Sequence, residues 1–347
     1  MNKIRIAIMC PSEIAERRFL PSLKLNPNYE FVGLGTASPK EWFGENLAEV
    51  SKDVIDSVKK GQYDKAQNII NQYGGKIFDS YEDVTTSPDI DAVYLPLPPA
   101  LHFKWAKKVL ENGKHAFIEK PFTTGLTDTK TLLSIAKEKN LAVQENYMFQ
   151  YHQQLEDINK IILNGELGDI RLYRISFGFP QRAPNDFRYN KKLGGGAILD
   201  CGGYTIKYAS MLLGPTAKLV NAQSNNLEDF NVDMFGSAVM VNDKGQTAQL
   251  AFGMDNSYKC ELEVWGSKAR LITNRVLTAP AGMVPEAVII DSKGNENWIK
   301  LSPDDSFGKS LTIFENCVNN GITRENNYKI IEHQAELLNQ FIELSSK

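Results

Sequence analysis

Five short apolar runs alternate with helix-like stretches over the first 145 residues, and few architectures accept that alternation. The runs are IRIAIM (4–9), EFVGLGT (30–36), DAVYL (91–95), HAFIE (115–119) and LAVQE (141–145). Between the third and fourth, Phe103, Ala106, Val109 and Leu110 recur at three- and four-residue spacings, the period of one helix face. Strands separated by helices cannot close as hairpins, so a parallel, doubly wound sheet is expected. From about residue 170 the pattern changes. RLYRISFGF, KLVNAQS, VDMFGSAVMV, QTAQLAFGM, KCELEVWGS and EAVIIDS follow, with turns such as Asp243-Lys244-Gly245 and Ser292-Lys293-Gly294 between strands. These predict an antiparallel sheet and a second domain. The stretch 326–345 has helical spacing and few breakers, so a closing helix is expected there.

With 347 residues the chain is long enough for two cores. Its 39 basic and 42 acidic residues give a net charge of -3 and are spread along the chain, so no basic face for nucleic acid or an anionic membrane is expected. Small-molecule partners are the default. Cys10, Cys201, Cys260 and Cys317 are widely separated, with neither metal-ligand nor disulfide spacing. No charged-then-apolar leader precedes Ile4 and no apolar run has the length of a membrane span, so a soluble, unprocessed, cytoplasmic protein is expected. The segment 38–75 exceeds what a strand-to-strand crossover requires and predicts one or two extra surface helices, either a solvated insertion or a lid.

The turn after the first run, MCPSEIAERR, stands where a dinucleotide-binding fold keeps the glycines of G-x-G-x-x-G. The three positions hold Cys10, Ser12 and Ala15, all small. A helix beginning near Ser12 or Glu13 would still aim the N–H groups of Glu13, Ile14 and their neighbours at an anion. Cys10 and Pro11 place atoms where the motif leaves bare backbone, so the segment is equally consistent with a plain structural turn.

Two further segments carry more. In GKHAFIEKPF (113–122) a strand ends in Glu119-Lys120-Pro121 on the carboxyl edge of the sheet, where open α/β folds bind ligands. Pro121 holds Lys120 in extended geometry, and a lysine fixed beside a cofactor can polarise a carbonyl or assist proton transfer. In LGGGAILDCGGYTIKYASMLLG (193–214), Asp200 and Tyr204 stand four apart on a helical pattern interrupted by Gly202 and Gly203. Glycines are costly inside a helix, so something must approach closely there. Asp200 and Tyr204 suit a hydroxyl contact and a proton donor; a core-packed tyrosine is the alternative.

With those pieces the chain resembles the glucose-fructose oxidoreductase/inositol dehydrogenase (Gfo/Idh/MocA) family over almost its whole length. Within it, the chain is most similar to the NDP-sugar 3-ketoreductases, on IAxRRxLP at 14–21, ENYMF at 145–149, NDFRY at 185–189 and tyrosine at position 204. The resemblance implies an α/β Rossmann domain plus an α+β domain with a large open-faced, mostly antiparallel sheet. It places the Rossmann domain at 1–123 and a substrate and oligomerisation domain at 124–347, with the closing helix packing back toward the first. It implies Lys120 and Tyr204 as the catalytic pair, Asp200 on the sugar, a cis bond before Pro121, and a homodimer or homotetramer assembled through the open sheet face. Tyr147 and Gln150 become substrate-side candidates, Gln150 and Gln153 being departures from the arginine and proline of many members. Arg182 and Arg188 are candidates for diphosphate or are solvated loop charges. Pro96 and Leu97, in the loop PLPPA, resemble the nicotinamide-side loop, and His102 is either a ribose contact or structural. Glu119 joins the cofactor-side candidates.

A carboxylate that would hold a ribose 2′-hydroxyl is missing after the second strand until Glu41, whereas Ser38 and Lys40 suit a 2′-phosphate. NADP(H) is therefore favoured over NAD(H), and no metal is expected. The function expected is reduction of a nucleotide-linked keto-sugar at C-3. A dehydrogenase of a free sugar, cyclitol or UDP-sugar hydroxyl, and a non-catalytic sugar or dinucleotide sensor, are the alternatives.

Overall fold

The computed structural model describes residues 3–346. The chain divides into two compact units, the first comprising residues 1–123, 127–146 and 310–331, the second 124–126, 147–309 and 332–347.

The first unit contains β1 (Ile4–Ile8), α1 (Leu20–Leu25), β2 (Tyr29–Gly35), α2 (Pro39–Phe43), α3 (Lys52–Tyr73), β3 (Lys76–Phe78), α4 (Tyr81–Thr86), β4 (Ala92–Leu95), α5 (Pro99–Glu111), β5 (His115–Glu119), α6 (Leu126–Glu138) and β6 (Val143–Asn146). All five anticipated strands are present. The sheet is wholly parallel, in the order β3-β2-β1-β4-β5-β6. Its order reverses between β1 and β4, which puts the turn after β1 and the loop after β4 at the crevice where such sheets hold ligands. The central strands are apolar on both faces because helices cover both, as β4, buried throughout, shows. The insertion forms α2, a 3-10 turn at Gly44–Glu49 and α3, the last opened by Ser51, whose hydroxyl accepts from Val54 N–H.

The second unit contains α7 (Gln153–Leu163), β7 (Ile170–Gly178), α8 (Gly203–Leu213), β8 (Lys218–Asn226), β9 (Asp233–Val241), β10 (Thr247–Gly253), β11 (Lys259–Gly266), β12 (Ala269–Asn274), β13 (Glu286–Asp291) and β14 (Glu296–Lys300). The eight strands run β14-β13-β12-β11-β7-β10-β9-β8 and all pair antiparallel except β7 with β10. Side chains alternate across this sheet. Ile175, Phe177, Leu250, Phe252, Leu262 and Val264 enter one core, in which α8 residues Ile206, Ala209 and Leu213 also lie. On the other face a row of paired positions runs Trp298, Val288, Ile272, Glu263, Arg174, Gln249, Val239. Phe235, Trp265 and Trp298 are exposed.

Two helices close the chain, α9 (Ser306–Asn319) and α10 (Gly321–Ser345), the second starting five residues before the expected 326. Residues 310–331 pack within the first unit. Tyr29 Oη donates to Leu311 O (2.8 Å), Asn327 Nδ2 to Val143 O (2.6 Å), and Phe314 meets Phe117 edge-on. Residues from 332 onward pack within the second, where Phe341 meets Phe252 and Gln334 Nε2 donates to Gly203 O (3.0 Å).

Candidate active site

At the crevice of the first unit the residues in the glycine positions are accommodated inward. Cys10 is buried and its thiol donates to Pro96 O (3.6 Å), tying the turn after β1 to the loop after β4. Burial pushes that thiol up to about 12, so it serves packing and not reactivity. Ser12 opens a helical stretch that passes through a π-helical turn at Ala15–Phe19 into α1, its hydroxyl accepting from Ala15 N–H (3.2 Å) and its carbonyl from Glu16 N–H. Glu13 is exposed and pairs with Arg17 one turn on; Ile14 is half-buried. The helix start is therefore retained without the glycines.

Lys120 is held by its neighbours. The Lys120–Pro121 bond is cis. Pro121 O lies 2.8 Å from His102 Nδ1, and Phe122 N–H donates to Glu145 Oε1 (2.9 Å). The carbonyl and the N–H of the peptide that follows Pro121 are thus each met by a buried side chain, and Lys120 itself is half-buried. Glu119, just before it, accepts from Tyr94 Oη (2.7 Å) and Asn146 Nδ2 (2.6 Å) on the neighbouring strands. Burial raises the Glu119 carboxyl above the usual range, while Asn146, Tyr94 and Lys120 pull it back.

Two cofactor-side candidates have partners within the protein. His102 is wholly buried, with Nε2 2.7 Å from Leu97 O and Nδ1 on Pro121 O, so it joins the two loops, the structural one of its two expected roles. Burial drives its pKa down, against the pull of the two carbonyls. Glu119 likewise braces the sheet edge, with Oε1 bonded to Tyr94 and Asn146. Pro96 and Leu97 are buried, Leu97 being 6% exposed, and their carbonyls meet the Cys10 thiol and His102.

Ser38 and Lys40 line a cleft of about 560 Å³ beside the end of β2. Glu41 lines it too, but its carboxylate is bonded three times by backbone, from Ser38 N (2.8 Å), Tyr81 N (3.1 Å) and Glu82 N (3.0 Å). Sequence reading missed Gln62 of α3, whose Oε1 accepts from Ala37 N–H (2.8 Å). The insertion thereby fixes the turn that follows β2.

In the second unit Tyr204 opens α8 after a π-helical turn at Ile198–Gly202. Its ring sits among Tyr147 (centroids 5.0 Å apart), Phe177 (5.3 Å) and Phe149 (5.6 Å), 9% exposed. The two glycines have the close neighbours their cost implied. A β-carbon at Gly203 would collide with the Tyr147 hydroxyl, and one at Gly202 would lie 3.0 Å from the Phe252 ring. Tyr147, expected on the substrate side, is 0% exposed and packs edge-on against Tyr204.

Asp200, also 9% exposed, accepts from Arg188 Nε (2.8 Å). Arg188 Nη1 reaches both oxygens of Asp186 (3.1 and 3.2 Å), so the guanidinium lies between two carboxylates. Burial opposes its charge, yet the fields and hydrogen bonds of Asp200 and Asp186 prevail and raise its pKa. Arg188 is thus no solvated loop charge. Gly196 N–H donates to Arg188 O (3.0 Å), docking the glycine run onto this loop. Arg182 is exposed over Phe179, its N–H donating to Tyr189 Oη (2.7 Å), and Gln150 is half-buried in the 3-10 turn Met148–Tyr151.

Comparison with known proteins bears on both units. Residues 28–147 match the model of the oxidoreductase family with an NAD-binding Rossmann fold, and residues 155–272 match the GFO/IDH/MocA C-terminal domain. The chain belongs to the Gfo/Idh/MocA family. Among characterised members of this family, dTDP-3,4-didehydro-2,6-dideoxy-alpha-D-glucose 3-reductase of Actinomadura kijaniata is 34% identical over 320 residues, 92% of this chain and 89% of that protein. The enzyme of the same name from Saccharopolyspora spinosa is 33% identical, over 92% and 88%. A crystal structure of a 3-ketoreductase from Actinomadura kijaniata with NADP and TDP-benzene superposes with a TM-score of 0.86 at 32% identity, covering 97% of this chain and 96% of that one. That family member has also been crystallised with one lysine changed to alanine or glutamate and with one tyrosine changed to phenylalanine.

Proposed function

We propose that this chain is an NADP(H)-dependent reductase of a nucleotide-linked deoxyketo-sugar, acting at C-3. The observation that carries the reading is the end-to-end match to 3-reductases of dTDP-linked sugars, with the lysine and tyrosine candidates both present. The lysine and tyrosine varied in the Actinomadura enzyme stand 84 positions apart, the separation of Lys120 and Tyr204.

The cofactor side fits a 2′-phosphorylated dinucleotide. Glu41 is bonded by three N–H groups, so its carboxylate is a poor acceptor for a ribose diol, while Ser38 and Lys40 remain as donors. The helix opening at Glu13 would take the pyrophosphate, with Ser12, Glu13 and Ile14 beside it. When bound, NADPH supplies the hydride that reduces a carbonyl carbon.

The residues of this chain handle the oxygen. Lys120 and Tyr204 hydrogen-bond the carbonyl oxygen, stabilising the negative charge that develops there, and Tyr204 delivers the proton. Asp200, oriented by Arg188, accepts from a sugar hydroxyl, and Gln150 is a further substrate-side residue; Arg182 is the exposed cation for the diphosphate. The test is turnover of NADPH with a dTDP-linked 3-keto-sugar against a free sugar and against NADH. Faster work on the free sugar would overturn the substrate class.

Tyr204→Phe keeps every ring contact and removes only the hydroxyl. Turnover is expected to fall roughly 10²-fold or more with the melting temperature unchanged, and a variant of unaltered rate would remove the tyrosine from the mechanism.

The second unit also suits assembly of a homodimer or homotetramer in the cytoplasm. No helix among the described residues is long and apolar enough to cross a membrane, and Trp298 is 64% exposed on the uncovered sheet face. Trp298→Glu is expected to shift the sedimentation coefficient toward that of the monomer, whereas a parent protein that is already monomeric would exclude this role for the face.

A further inference from the structure

The cleft beside β2 contains more positive charge than the turn after that strand supplies. Its lining includes Lys40, Lys104 and Lys108 against Glu41, Glu45 and Glu82, so formal charges cancel. The pairing does not. Lys108 is ion-paired with Glu82, and Glu41 is bonded by three backbone N–H groups. Glu45 is exposed. Among the described residues neither Lys40 nor Lys104 has an ion-pair partner, and the Lys104 ammonium stands 5.0 Å from the ring centre of Trp105, itself part of the lining.

Two hydroxyls join them. Ser38 Oγ accepts from Glu41 N–H (3.4 Å) and Ser80 Oγ from Asp83 N–H (3.0 Å), which leaves the hydrogen of each hydroxyl to donate elsewhere. The N–H groups of Ser38, Glu41, Tyr81, Glu82 and Asp83 are already bonded to these side chains, so an anion here would be held by side chains. Two ammonium groups and two hydroxyls around one cleft match a phosphate monoester dianion.

We propose that Lys104 of α5 and Ser80, ahead of α4, complete with Lys40 and Ser38 the site for the adenosine 2′-phosphate, so that selectivity for NADPH is set by three segments of the first unit. This rests on the cofactor reading above. It adds that a helix far along the chain from β2 carries a determinant of the choice.

The experiment measures affinities of the full chain for 2′,5′-ADP and 5′-AMP, and for NADPH and NADH, by quenching of tryptophan fluorescence. Lys104→Ala is expected to weaken 2′,5′-ADP and NADPH roughly tenfold, the order of one lost charge-assisted contact. The affinities for 5′-AMP and NADH should stay unchanged, and Lys104→Arg should restore most of the loss. A parent protein that prefers NADPH while Lys104→Ala leaves the preference intact overturns the role of α5 and leaves the cofactor reading standing. A parent protein with no preference overturns both.

Discussion

Lys120→Met is expected to lower turnover by about 10²–10³-fold while NADPH affinity stays near that of the parent protein. The expectation follows from how the lysine is mounted. The peptide unit that follows Pro121 is held at both of its polar atoms, by His102 on Pro121 O and by Glu145 on the N–H of Phe122, and neither contact uses the ammonium group. Methionine has a similar reach, packs the same stem and keeps the turn. The change therefore removes a charge from the reacting oxygen without moving the backbone that carries it. Single-turnover measurement separates the two effects. Retained binding with a lost hydride step is the expected result, and an unaffected rate would remove Lys120 from the chemistry. Loss of binding and rate together would make the lysine a cofactor anchor, so the electrostatic role would fall.

The sheet of the first unit was legible because its strands are short, apolar and separated by helical spacing. What the sequence concealed has physical causes. Strand β3 is three residues long and takes its order from pairing with β2 across Gly33. Strand β14, ENWIK, has almost no buried residue and so no alternation to detect. Among the site residues, sequence position located the carboxyl ends of the strands but not the direction in which side chains turn. His102 illustrates this. It follows a loop that resembles a cofactor loop, yet it shares a helix face with Trp105, Ala106 and Val109, all buried. That spacing, read one residue earlier than Phe103, marks it as internal. Tyr147 stands at the end of β6 and Glu119 at the end of β5, and both turn inward, toward Gly203 and toward Tyr94 with Asn146 respectively. The close approach at Gly203, in contrast, was legible from the cost of a glycine inside a helix. The partner of Arg188 was not, because Asp186 and Asp200 are brought together only by the fold of residues 186–200.

That cluster supports the second large effect. Arg188→Met is expected to destabilise the protein by about 3–5 kcal/mol and to lower turnover as well. The side chains of Arg188, Asp186 and Asp200 are 18%, 17% and 10% exposed, so neither carboxylate regains full hydration when the guanidinium is removed. Two negative groups then face each other in a poorly solvated site with no cation between them. Arg188→Lys should recover only part of the loss, because a single ammonium cannot bond Asp200 through one nitrogen and both oxygens of Asp186 through another. Adding Asp200→Asn to Arg188→Met removes one of the stranded charges and is expected to return part of the stability while activity stays low. This double change separates folding from function. If stability and turnover recovered together, Asp200 would be a structural counter-ion and not a contact to the sugar. If the single Arg188→Met protein were as stable and as active as the parent, the guanidinium would hold neither the loop nor Asp200. Equilibrium denaturation by urea, with turnover measured on the same samples, decides among these outcomes.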